Sequence, residues 1–274
     1  LFRMAQDKKQ GKDEILSQIL LGIDSAALSI ESSGESEALE TVLEYLSRSQ
    51  NKIHEVFDVG ANVGNWSKLV LENCNSGVNL HLFEPNRIII NELSNNISSY
   101  VKSKNNNFKV IVNNLGISNT MNDKNLFVNY NCHEQATTNP TISKNCYSKY
   151  IKIDKINNVT GSNYCNEKSI SKIDFLKIDT EGTEFEIIQS FLQSDFEINI
   201  RFIQFEYGKA NYFCGNGLID FFNLLEDDFY FAKILPEGFV LETSYHQDLE
   251  DFKWSNFLAI NKNEKEFLAE FKND

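Results

Sequence analysis

Short apolar runs alternate along the chain with longer segments whose apolar residues recur at helical spacing. The apolar runs predict five strands and a final strand pair, at residues 55–59, 79–84, 108–112, 173–179, 200–206, 229–235 and 256–260. The helical pattern predicts helices between them, at residues 65–72, 86–99, 184–192 and 218–226. Strands joined by helix-length crossovers form a parallel sheet with both faces covered, so we expect an α/β fold. The last two strands lie too close in sequence for such a crossover, which predicts an antiparallel edge.

Two regions depart from this alternation. Residues 1–50 predict two helices, one with apolar positions from Ile15 to Ile23 and one from Glu35 to Ser49. We expect them to form a helical extension that covers an edge of the main domain, residues 51–274, or a neighbouring chain. The stretch from about 120 to 170 is rich in Asn, Ser, Thr and Lys, and it predicts an irregular insertion of short strands or a loop over the site.

Charge and cysteine content narrow the class of partner. The 274 residues carry a formal net charge of −13, with a pI near 4.8. Nucleic acids and anionic membranes are bound by clustered Lys and Arg, so this charge argues against both as partners and favours a small molecule or an uncharged glycan. No apolar run reaches the length of a membrane span. The five cysteines are scattered and odd in number, which favours free thiols in a reducing, cytoplasmic compartment.

A glycine-containing turn follows the first predicted strand and opens the first helix of the main domain. It reads Asp58-x-Gly60-x-Asn62-x-Gly64. Gly60 permits a sharp turn and the close approach of a ligand, and Gly64 permits tight packing of the helix on the strand. In open parallel sheets, ligands bind beyond the carboxyl ends of the strands, which is where this turn lies. The turn is therefore the predicted cofactor site.

Two acidic residues indicate which cofactor the turn holds. Asp58 would repel a diphosphate, whereas it suits a sulfonium or an ammonium group. Glu84 ends the second strand, where a carboxylate accepts hydrogen bonds from both hydroxyls of a ribose. The Gly-x-Gly-x-x-Gly pattern of dinucleotide-binding turns is absent. These features favour S-adenosylmethionine over a nicotinamide dinucleotide.

Five segments, taken in order, carry a resemblance to a known family. They are Val56-Phe57-Asp58-Val59-Gly60-Ala61-Asn62-Val63-Gly64, Leu82-Phe83-Glu84-Pro85, Asn114-Leu115-Gly116-Ile117-Ser118, Leu176-Lys177-Ile178-Asp179-Thr180-Glu181-Gly182-Thr183-Glu184 and Gln204-Phe205-Glu206. Over roughly residues 53–262 their order and spacing resemble the FkbM-type methyltransferases, and the Lys-Ile-Asp-x-Glu-Gly-x-Glu segment is the most specific of them.

The resemblance implies a class I methyltransferase fold, which is Rossmann-like, with a mostly parallel seven-stranded sheet. It also implies O-methylation of a sugar or polyketide hydroxyl. Asn113 and Asn114 follow the third strand, a position that faces the adenine in this fold. The expected cofactor-binding residues are Asp58, Gly60, Ala61, Asn62, Gly64, Glu84, Pro85, Asn113, Asn114 and Asp179.

The catalytic candidates follow from what methyl transfer to an alcohol needs, namely an acceptor oxygen held near the methyl carbon and a group that takes its proton. Asp179 and Glu181 follow the fourth strand; we expect Asp179 to be the general base and keep Glu181 as the second candidate. Glu181 is equally suited to cap the helix that begins there. Lys177 shares the strand face of Asp179. His133, in the irregular insertion, is another candidate base, although a solvated loop histidine is the commoner case.

Acceptor-binding residues are expected at the end of the fifth strand, where Glu206 and Tyr207 lie. Glu206 and Asp179 also offer oxygen ligands of the kind that Mg²⁺ prefers. No single segment supplies a full ligand set, so the sequence favours catalysis without a metal. Tyr207, with Tyr212 and Phe213, is suited either to an aromatic wall for a sugar ring or to packing in the core.

Four functional hypotheses remain open, led by S-adenosylmethionine-dependent O-methylation of a sugar or glycan. A small non-sugar metabolite such as a polyketide is the alternative acceptor. A nicotinamide-dependent dehydrogenase would share the sheet, but Asp58 counts against it. A non-catalytic module of a glycan-synthesising multidomain protein is the fourth hypothesis. The chain begins with Leu1 rather than Met, which fits such a parent or association with glycosyltransferase domains, but the intact site residues favour a working pocket.

Overall fold

The computed structural model describes residues 30, 32–48, 53–103, 107–129, 132–145, 150–193, 195–236 and 238–270. The predicted first helix, with its apolar positions from Ile15 to Ile23, lies outside these residues.

The helices and strands follow the predicted alternation. The described helices are α1 (Glu35–Ser47), α2 (Asn65–Asn73), α3 (Ile90–Ser103), α4 (Pro140–Asn145), α5 (Gly161–Lys168), α6 (Glu184–Leu192), α7 (Lys209–Phe213), α8 (Leu218–Leu225) and α9 (Lys265–Glu270). The described strands are β1 (Ile53–Val59), β2 (Gly77–Phe83), β3 (Phe108–Asn113), β4 (Gly116–Ile117), β5 (Lys124–Asn129), β6 (Cys132–Thr137), β7 (Tyr150–Ile156), β8 (Asn158–Val159), β9 (Lys172–Ile178), β10 (Asn199–Tyr207), β11 (Phe229–Leu235), β12 (Gly238–Glu242) and β13 (Ser255–Asn261).

The central sheet has eight described strands in the order β12-β11-β13-β10-β9-β1-β2-β3. The pairs from β10 to β3 are parallel, whereas β13 is antiparallel to its neighbours β10 and β11, and β12 is antiparallel to β11. The predicted mostly parallel sheet with an antiparallel edge is confirmed, with two corrections. The sheet gains an eighth strand, β12, and the antiparallel β13 lies inside it. The sequence of β12, Gly-Phe-Val-Leu-Glu, lacks the apolar–polar alternation that marks a strand.

Strand order places the ligand crevice between β1 and β9. From β1 the chain proceeds to β2 and β3 on one side of the sheet, and it returns to β9 and β10 on the other side. Such a reversal leaves a crevice at the carboxyl ends of the two central strands. The glycine turn after β1 and the acidic segment after β9 therefore meet at one place.

Apolar residues fill both faces of the sheet. One core cluster combines the sheet with α1, α2, α3 and α9, and the other combines it with α5, α6 and α8. The predicted inward residues of α1, Leu39, Val42, Leu43 and Leu46, are all buried. Helix α1 thus packs into the same cluster as β1, while the division of the chain at residue 50 stays a prediction.

The stretch from about 120 to 170 contains the short strands β5 to β8 and also the helices α4 and α5, which its composition did not predict. Strands β6, β5 and β7 form an antiparallel three-stranded sheet, and β4 pairs with β8. Thr137 Oγ1 donates to the backbone carbonyl of Glu181 at 3.0 Å, and Asn139 Nδ2 lies 2.9 Å from Cys214 Sγ. The insertion therefore contacts the loop that follows β9.

Candidate functional site

The loops after β1 and β9 touch through their backbones. Gly60 has a φ of 87°, and a Cβ atom there would lie 1.8 Å from the carbonyl oxygen of Asp179. The backbone N–H of Asp179 donates to the carbonyl oxygen of Val59 at 2.9 Å. Only glycine fits this contact, so the turn after β1 fixes the position of Asp179. The need for glycine is explained by this internal contact rather than by the approach of a ligand.

Gly64 lies against helix α3, and not against the strand as predicted. Its φ is 90°, and a Cβ atom there would lie 2.8 Å from Leu93 Cδ1 and 3.1 Å from Ile97 Cδ1. Both side chains belong to α3. The glycine therefore allows α2 to pack against a second helix, and not against the strand as its spacing suggested.

Glu84 joins the turn after β1 to the loop after β2. Only 6% of its surface is exposed. Its Oε2 accepts the backbone N–H of Asn62 at 2.9 Å, and its Oε1 accepts the N–H of Asn86 at 2.7 Å. Burial raises the pKa of Glu84 to about 7, although these two N–H groups lower it. A carboxylate has about four acceptor sites, so each oxygen retains capacity for a ligand hydroxyl.

Asn86 explains why α3 starts later than predicted. Its Oδ1 accepts the backbone N–H of Ile88 at 3.0 Å, which makes a local turn before the helix. The helix therefore begins at Ile90 rather than at residue 86.

The remaining cofactor candidates line the same loops but differ in exposure. Asn113 Nδ2 donates to the carbonyl of Leu82 at 3.0 Å, which holds it against the sheet. Asn114 is exposed, and its Nδ2 donates to the backbone carbonyl of Glu84 at 2.8 Å. Ala61 is buried, whereas Pro85 is partly exposed beside Glu84. Of the two asparagines, Asn114 is the more exposed.

Lys177 lies between two carboxylates at the carboxyl end of β9. Its Nζ is 3.2 Å from Asp179 Oδ2 and 3.6 Å from Asp58 Oδ1. Burial lowers the pKa of Lys177, but the carboxylates of Asp179 and Asp58 outweigh burial and raise it. Lys177 therefore stays protonated, and the predicted shared face of Lys177 and Asp179 is confirmed by this contact.

Asp58 is fully buried, so it does not face an open pocket. Its Oδ2 accepts the hydroxyl of Ser67 on α2 at 2.6 Å. Burial raises its pKa, while Lys177 lowers it. Asp58 consequently acts on the site through Lys177 and through the position of α2.

Glu206 lies on the same face of the sheet as Lys177. Gln204 pairs in register with Lys177, and side chains two residues apart on a strand share a face. Burial raises the pKa of Glu206 well above its usual value, and the carboxylates of Asp179 and Glu181 raise it further. A raised pKa widens the pH range in which the carboxyl group is protonated, and the protonated form can donate a hydrogen bond.

Glu35, at the start of α1, is a site residue that the sequence pattern did not reveal. Its Oε2 accepts a hydrogen bond from Gln204 Nε2 at 2.9 Å, and its Oε1 accepts one from Ser33 at 3.1 Å. Burial raises its pKa, and the charge of Lys177 lowers it. No local signal marks Glu35, because α1 reaches the site only by packing across the sheet.

Glu184, the first residue of α6, fixes the loop that carries Asp179 and Glu181. It is 1% exposed, and its carboxylate accepts the N–H of Thr180 at 2.8 Å and the N–H of Gly182 at 3.0 Å. Asn211 Nδ2 donates to it at 2.6 Å. The role of binding free N–H groups at this helix start, expected of Glu181, thus falls to Glu184.

Replacing Glu184 should loosen this loop. In Glu184→Gln, one of the two acceptor oxygens becomes a donor, so a buried N–H of the loop loses its partner. We expect the free energy of unfolding in urea to fall by about 1–3 kcal/mol. Glu92→Gln, at an exposed position of α3, is the control and should change it by less than about 0.5 kcal/mol. Equal losses in the two variants would contradict the assigned role of Glu184.

Tyr207 is not brought into this group. Tyr207 is 1% exposed, its hydroxyl donates to Glu250, and its ring packs edge-on against Phe221. It faces away from Glu206 because neighbouring side chains on a strand point to opposite faces. His133 lies on β6 in the three-stranded sheet, and its side chain lies outside the described residues.

Aromatic residues outside this group divide between surface and core. Tyr212 is 59% exposed, and its ring lies 5.8 Å from that of Phe213 and 5.0 Å from that of Phe252. Trp66 is buried and packs edge-on against Phe175. Tyr212 is therefore the exposed aromatic residue that follows the end of β10.

Within the described ranges, no group of three or more His, Cys, Asp or Glu side chains is arranged to hold a metal ion. No helix in the described part of the chain has both the length and the apolar character to cross a bilayer.

A family model described as the methyltransferase FkbM domain matches residues 58–251. The chain belongs to the FkbM methyltransferase family. The resemblance drawn from the sequence segments is confirmed, and so is the class I, Rossmann-like fold. The matched range includes Asp58, Glu84, Asp179 and Glu206, whereas Glu35 lies outside it.

The solved structures that match this chain share little of its sequence. Methyltransferase FkbM from Methylobacillus flagellatus KT is 13% identical, with 80% of this chain and 47% of that chain covered and a TM-score of 0.45. The human methyltransferase 10 domain containing protein is 11% identical, with 83% and 80% covered and a TM-score of 0.45. The N-terminal domain of human METTL16 in complex with SAH is 12% identical, with 82% and 67% covered and a TM-score of 0.41. This chain thus spans about half the length of the Methylobacillus protein, and no curated protein matches it.

Proposed function

We propose that this FkbM methyltransferase transfers a methyl group from S-adenosylmethionine to a hydroxyl group of a sugar or glycan. The observation that carries the proposal is the environment of Asp179. Its side chain is 42% exposed at the carboxyl end of β9, and its backbone contacts the turn at Gly60. Asp179 is thus a carboxylate beside the cofactor turn that an incoming hydroxyl group can reach.

The residues of the crevice fit S-adenosylmethionine, which supplies an electrophilic methyl group when it is bound. Glu84 would accept hydrogen bonds from the ribose hydroxyls, and Asn114 is the exposed amide beside it. Asn86 Nδ2, buried next to Glu84, has no hydrogen-bond partner among the described residues. A buried donor without a partner costs free energy, and a bound ligand would satisfy it.

Three side chains then act at the acceptor: one takes the proton of the hydroxyl, one orients that base, and one binds a neighbouring oxygen. Asp179 Oδ2 is engaged by Lys177, which leaves Oδ1 to take the proton of the hydroxyl as the new bond forms. The Lys177 ammonium, held by Asp58, fixes the orientation of this carboxylate. Glu206, whose pKa is raised by burial, donates in its protonated form a hydrogen bond to a neighbouring oxygen of the acceptor. A polyol such as a sugar presents adjacent oxygens of both kinds.

A methyl-transfer assay with radiolabelled S-adenosylmethionine tests the proposal. The label should appear in at least one member of a panel of monosaccharides and oligosaccharides, and not in nucleic acid. Calorimetry should show binding of S-adenosylhomocysteine and no binding of NAD. Transfer to a polyketide with none to any sugar would move the acceptor class to the alternative, and binding of NAD alone would overturn the methyltransferase assignment.

The pKa of Glu84 predicts a pH dependence of cofactor binding. Because that pKa is raised to about 7, the carboxyl group is largely protonated below pH 7 and ionised above it. Only the ionised form accepts hydrogen bonds from both ribose hydroxyls, so the Kd for S-adenosylhomocysteine should rise as the pH falls from 8 to 6. The limit is about ten-fold per pH unit below the pKa.

Calorimetric titrations at several pH values measure this dependence. Glu84→Gln should bind more weakly, by about ten-fold or more, and its Kd should be flat over the same pH range. Asp248→Asn, at an exposed position, is the control and should keep the wild-type profile. A pH-independent Kd in the wild type would remove the assigned role of the Glu84 carboxylate.

A further inference from the structure

A cavity of about 380 Å³ lies apart from the site at the carboxyl ends of the strands. It opens beside the end of α5, over the strands β1, β2 and β3. Its polar lining includes Glu55, Asn79, His81, Lys109, Lys168 and Lys172. None of these residues contributes to the proposed methyl-transfer site. We call it the lysine-lined cavity.

The polar groups on the floor of the lysine-lined cavity satisfy one another. His81 Nε2 lies 3.0 Å from Glu55 Oε2, and His81 Nδ1 lies 2.8 Å from the hydroxyl of Tyr164. The other oxygen of Glu55 accepts a hydrogen bond from Asn79 Nδ2. The charge of Glu55 is therefore dispersed over two neighbours, and a ligand would be recognised mainly at the rim.

The rim carries three lysines, of which two have no carboxylate partner among the described residues. Lys172 Nζ lies 2.7 Å from Asp174 Oδ1. Lys168 Nζ lies 5.9 Å from the ring centroid of Tyr164, and neither Lys168 nor Lys109 makes an ion pair within the described part of the chain. The dipole of α5 favours a cation in the last turn of the helix, which accounts for Lys168. Lys109 lies on a strand, so no helix dipole accounts for its charge.

Lys109, Lys168 and Lys172 all line this one cavity, and of the three only Lys172 has an ion-pair partner within the described ranges. Three lysines around one cavity give it a local positive potential, which suits an anionic ligand. Lysine ammonium groups suit a phosphate as point charges, and the hydroxyls of Ser169 and Ser171 on the same lining add donors. The volume exceeds that of phosphate alone and leaves room for a polyol beside Asn79.

We infer that the lysine-lined cavity binds a phosphate monoester of about the size of a sugar phosphate. The phosphate lies among Lys109, Lys168 and Lys172, and the uncharged part of the ligand lies over Asn79 and Ile170. This binding is separate from methyl transfer and does not depend on the proposed acceptor.

Calorimetric titration of the wild-type chain with glucose 6-phosphate, glucose and inorganic phosphate tests the inference. We expect saturable binding of glucose 6-phosphate in the millimolar range or tighter, weaker binding of inorganic phosphate and none of glucose. Raising the salt from about 0.05 to 0.5 M should weaken the binding, because exposed charges are screened. The absence of saturable binding of glucose 6-phosphate at about 10 mM would overturn the inference.

A matched pair of double variants locates the binding. Lys109→Gln with Lys168→Gln should weaken glucose 6-phosphate at least about ten-fold, while the affinity for S-adenosylhomocysteine stays unchanged. Lys262→Gln with Lys265→Gln removes the same charge near α9 and should leave both affinities unchanged. If the first double variant does not fold, the single variant Lys109→Gln serves, with an expected loss of about three-fold. Equal affinities in the cavity and control variants would refute the site.

Discussion

Asp179→Asn is expected to lower the rate of methyl transfer by about 10²–10⁴-fold, the usual contribution of a general base. The substitution nearly conserves shape, and the amide oxygen can still accept the hydrogen bond from Lys177 that the carboxylate accepts at 3.2 Å. An amide cannot take a proton from the acceptor hydroxyl. The loss should therefore appear in the chemical step, with little change in how the cofactor is held.

Kinetics and calorimetry together separate these effects. In Asp179→Asn the kcat for the accepted sugar should fall, whereas the Kd for S-adenosylhomocysteine should stay within about three-fold of the wild-type value, as expected for loss of an interaction made only in the transition state. A fall in kcat/KM caused only by a higher KM would indicate that Asp179 binds the acceptor without taking its proton.

Glu181→Gln is the matched control, because Glu181 lies on the same loop and was the second candidate base. Its backbone has a φ of 57°, a left-handed turn conformation, whereas Asp179 directly continues β9 and donates its N–H to Val59. We expect its kcat to fall by less than about ten-fold. A large loss in Glu181→Gln with an unchanged rate in Asp179→Asn would transfer the base to Glu181.

The sequence predicted the strand ends well because the pattern there is local. An apolar run followed by an acidic residue and a turn, as at Asp58 and at Asp179, marks the end of a buried strand. Parallel strands bring such ends together at one edge of the sheet. The contact between Lys177 and Asp179 follows from the two-residue repeat of a strand. Positions along one strand could thus be placed without knowledge of the packing.

The same repeat could have excluded Tyr207, since Glu206 and Tyr207 cannot both face the crevice. The roles of Gly60 and Gly64 could not be derived in that way. Their neighbours, the carbonyl of Asp179 and the side chain of Leu93, are distant in sequence and are set by packing. A glycine pattern predicts that some group comes close to the backbone, but it does not identify that group.

Glu35 and Glu184 escaped prediction for related reasons. Glu184 stands in the most specific segment of the sequence, but its partner Asn211 comes from helix α7, which follows β10. Glu35 reaches Gln204 only because α1 packs across the sheet. Both are acids that look like ordinary residues in the first turn of a helix, where acids are common. Glu35 and Glu184 differ from other acids in first turns in their degree of burial. Burial depends on the whole fold, so the local sequence does not reveal it.

Lys177→Met is expected to lower the free energy of unfolding by about 3–5 kcal/mol, the cost of leaving a buried charge without its partner. Lys177 is 6% exposed and Asp58 is fully buried, so Asp58 would keep only its hydrogen bond from Ser67. Methionine has a similar length and fills the space of the lysine chain, which keeps any cavity small. The lower free energy of unfolding should therefore reflect the missing ammonium charge rather than a change in side-chain volume.

The pH dependence of this loss has a definite sign. Burial already raises the pKa of Asp58, and removal of the lysine that lowers it would raise it further. A carboxyl group with a higher pKa in the folded state than in the unfolded state costs no stability while both states are protonated. The cost grows as the pH rises from the unfolded pKa through the folded one. The destabilisation by Lys177→Met should accordingly be larger at pH 8 than at pH 5.

Urea denaturation of three variants at the two pH values measures the effect. Lys68→Met, at an exposed lysine 3.9 Å from Glu72, is the control and should cost less than about 0.5 kcal/mol. The double variant Asp58→Asn with Lys177→Met removes both buried charges, so it should recover part of the loss and flatten its pH dependence. An equal, pH-independent loss in the single and double variants would mean that Lys177 stabilises the fold through its methylene chain. The charge of Asp58 would then not influence Asp179 through Lys177. The backbone contact with Gly60 alone would have to orient the proposed base.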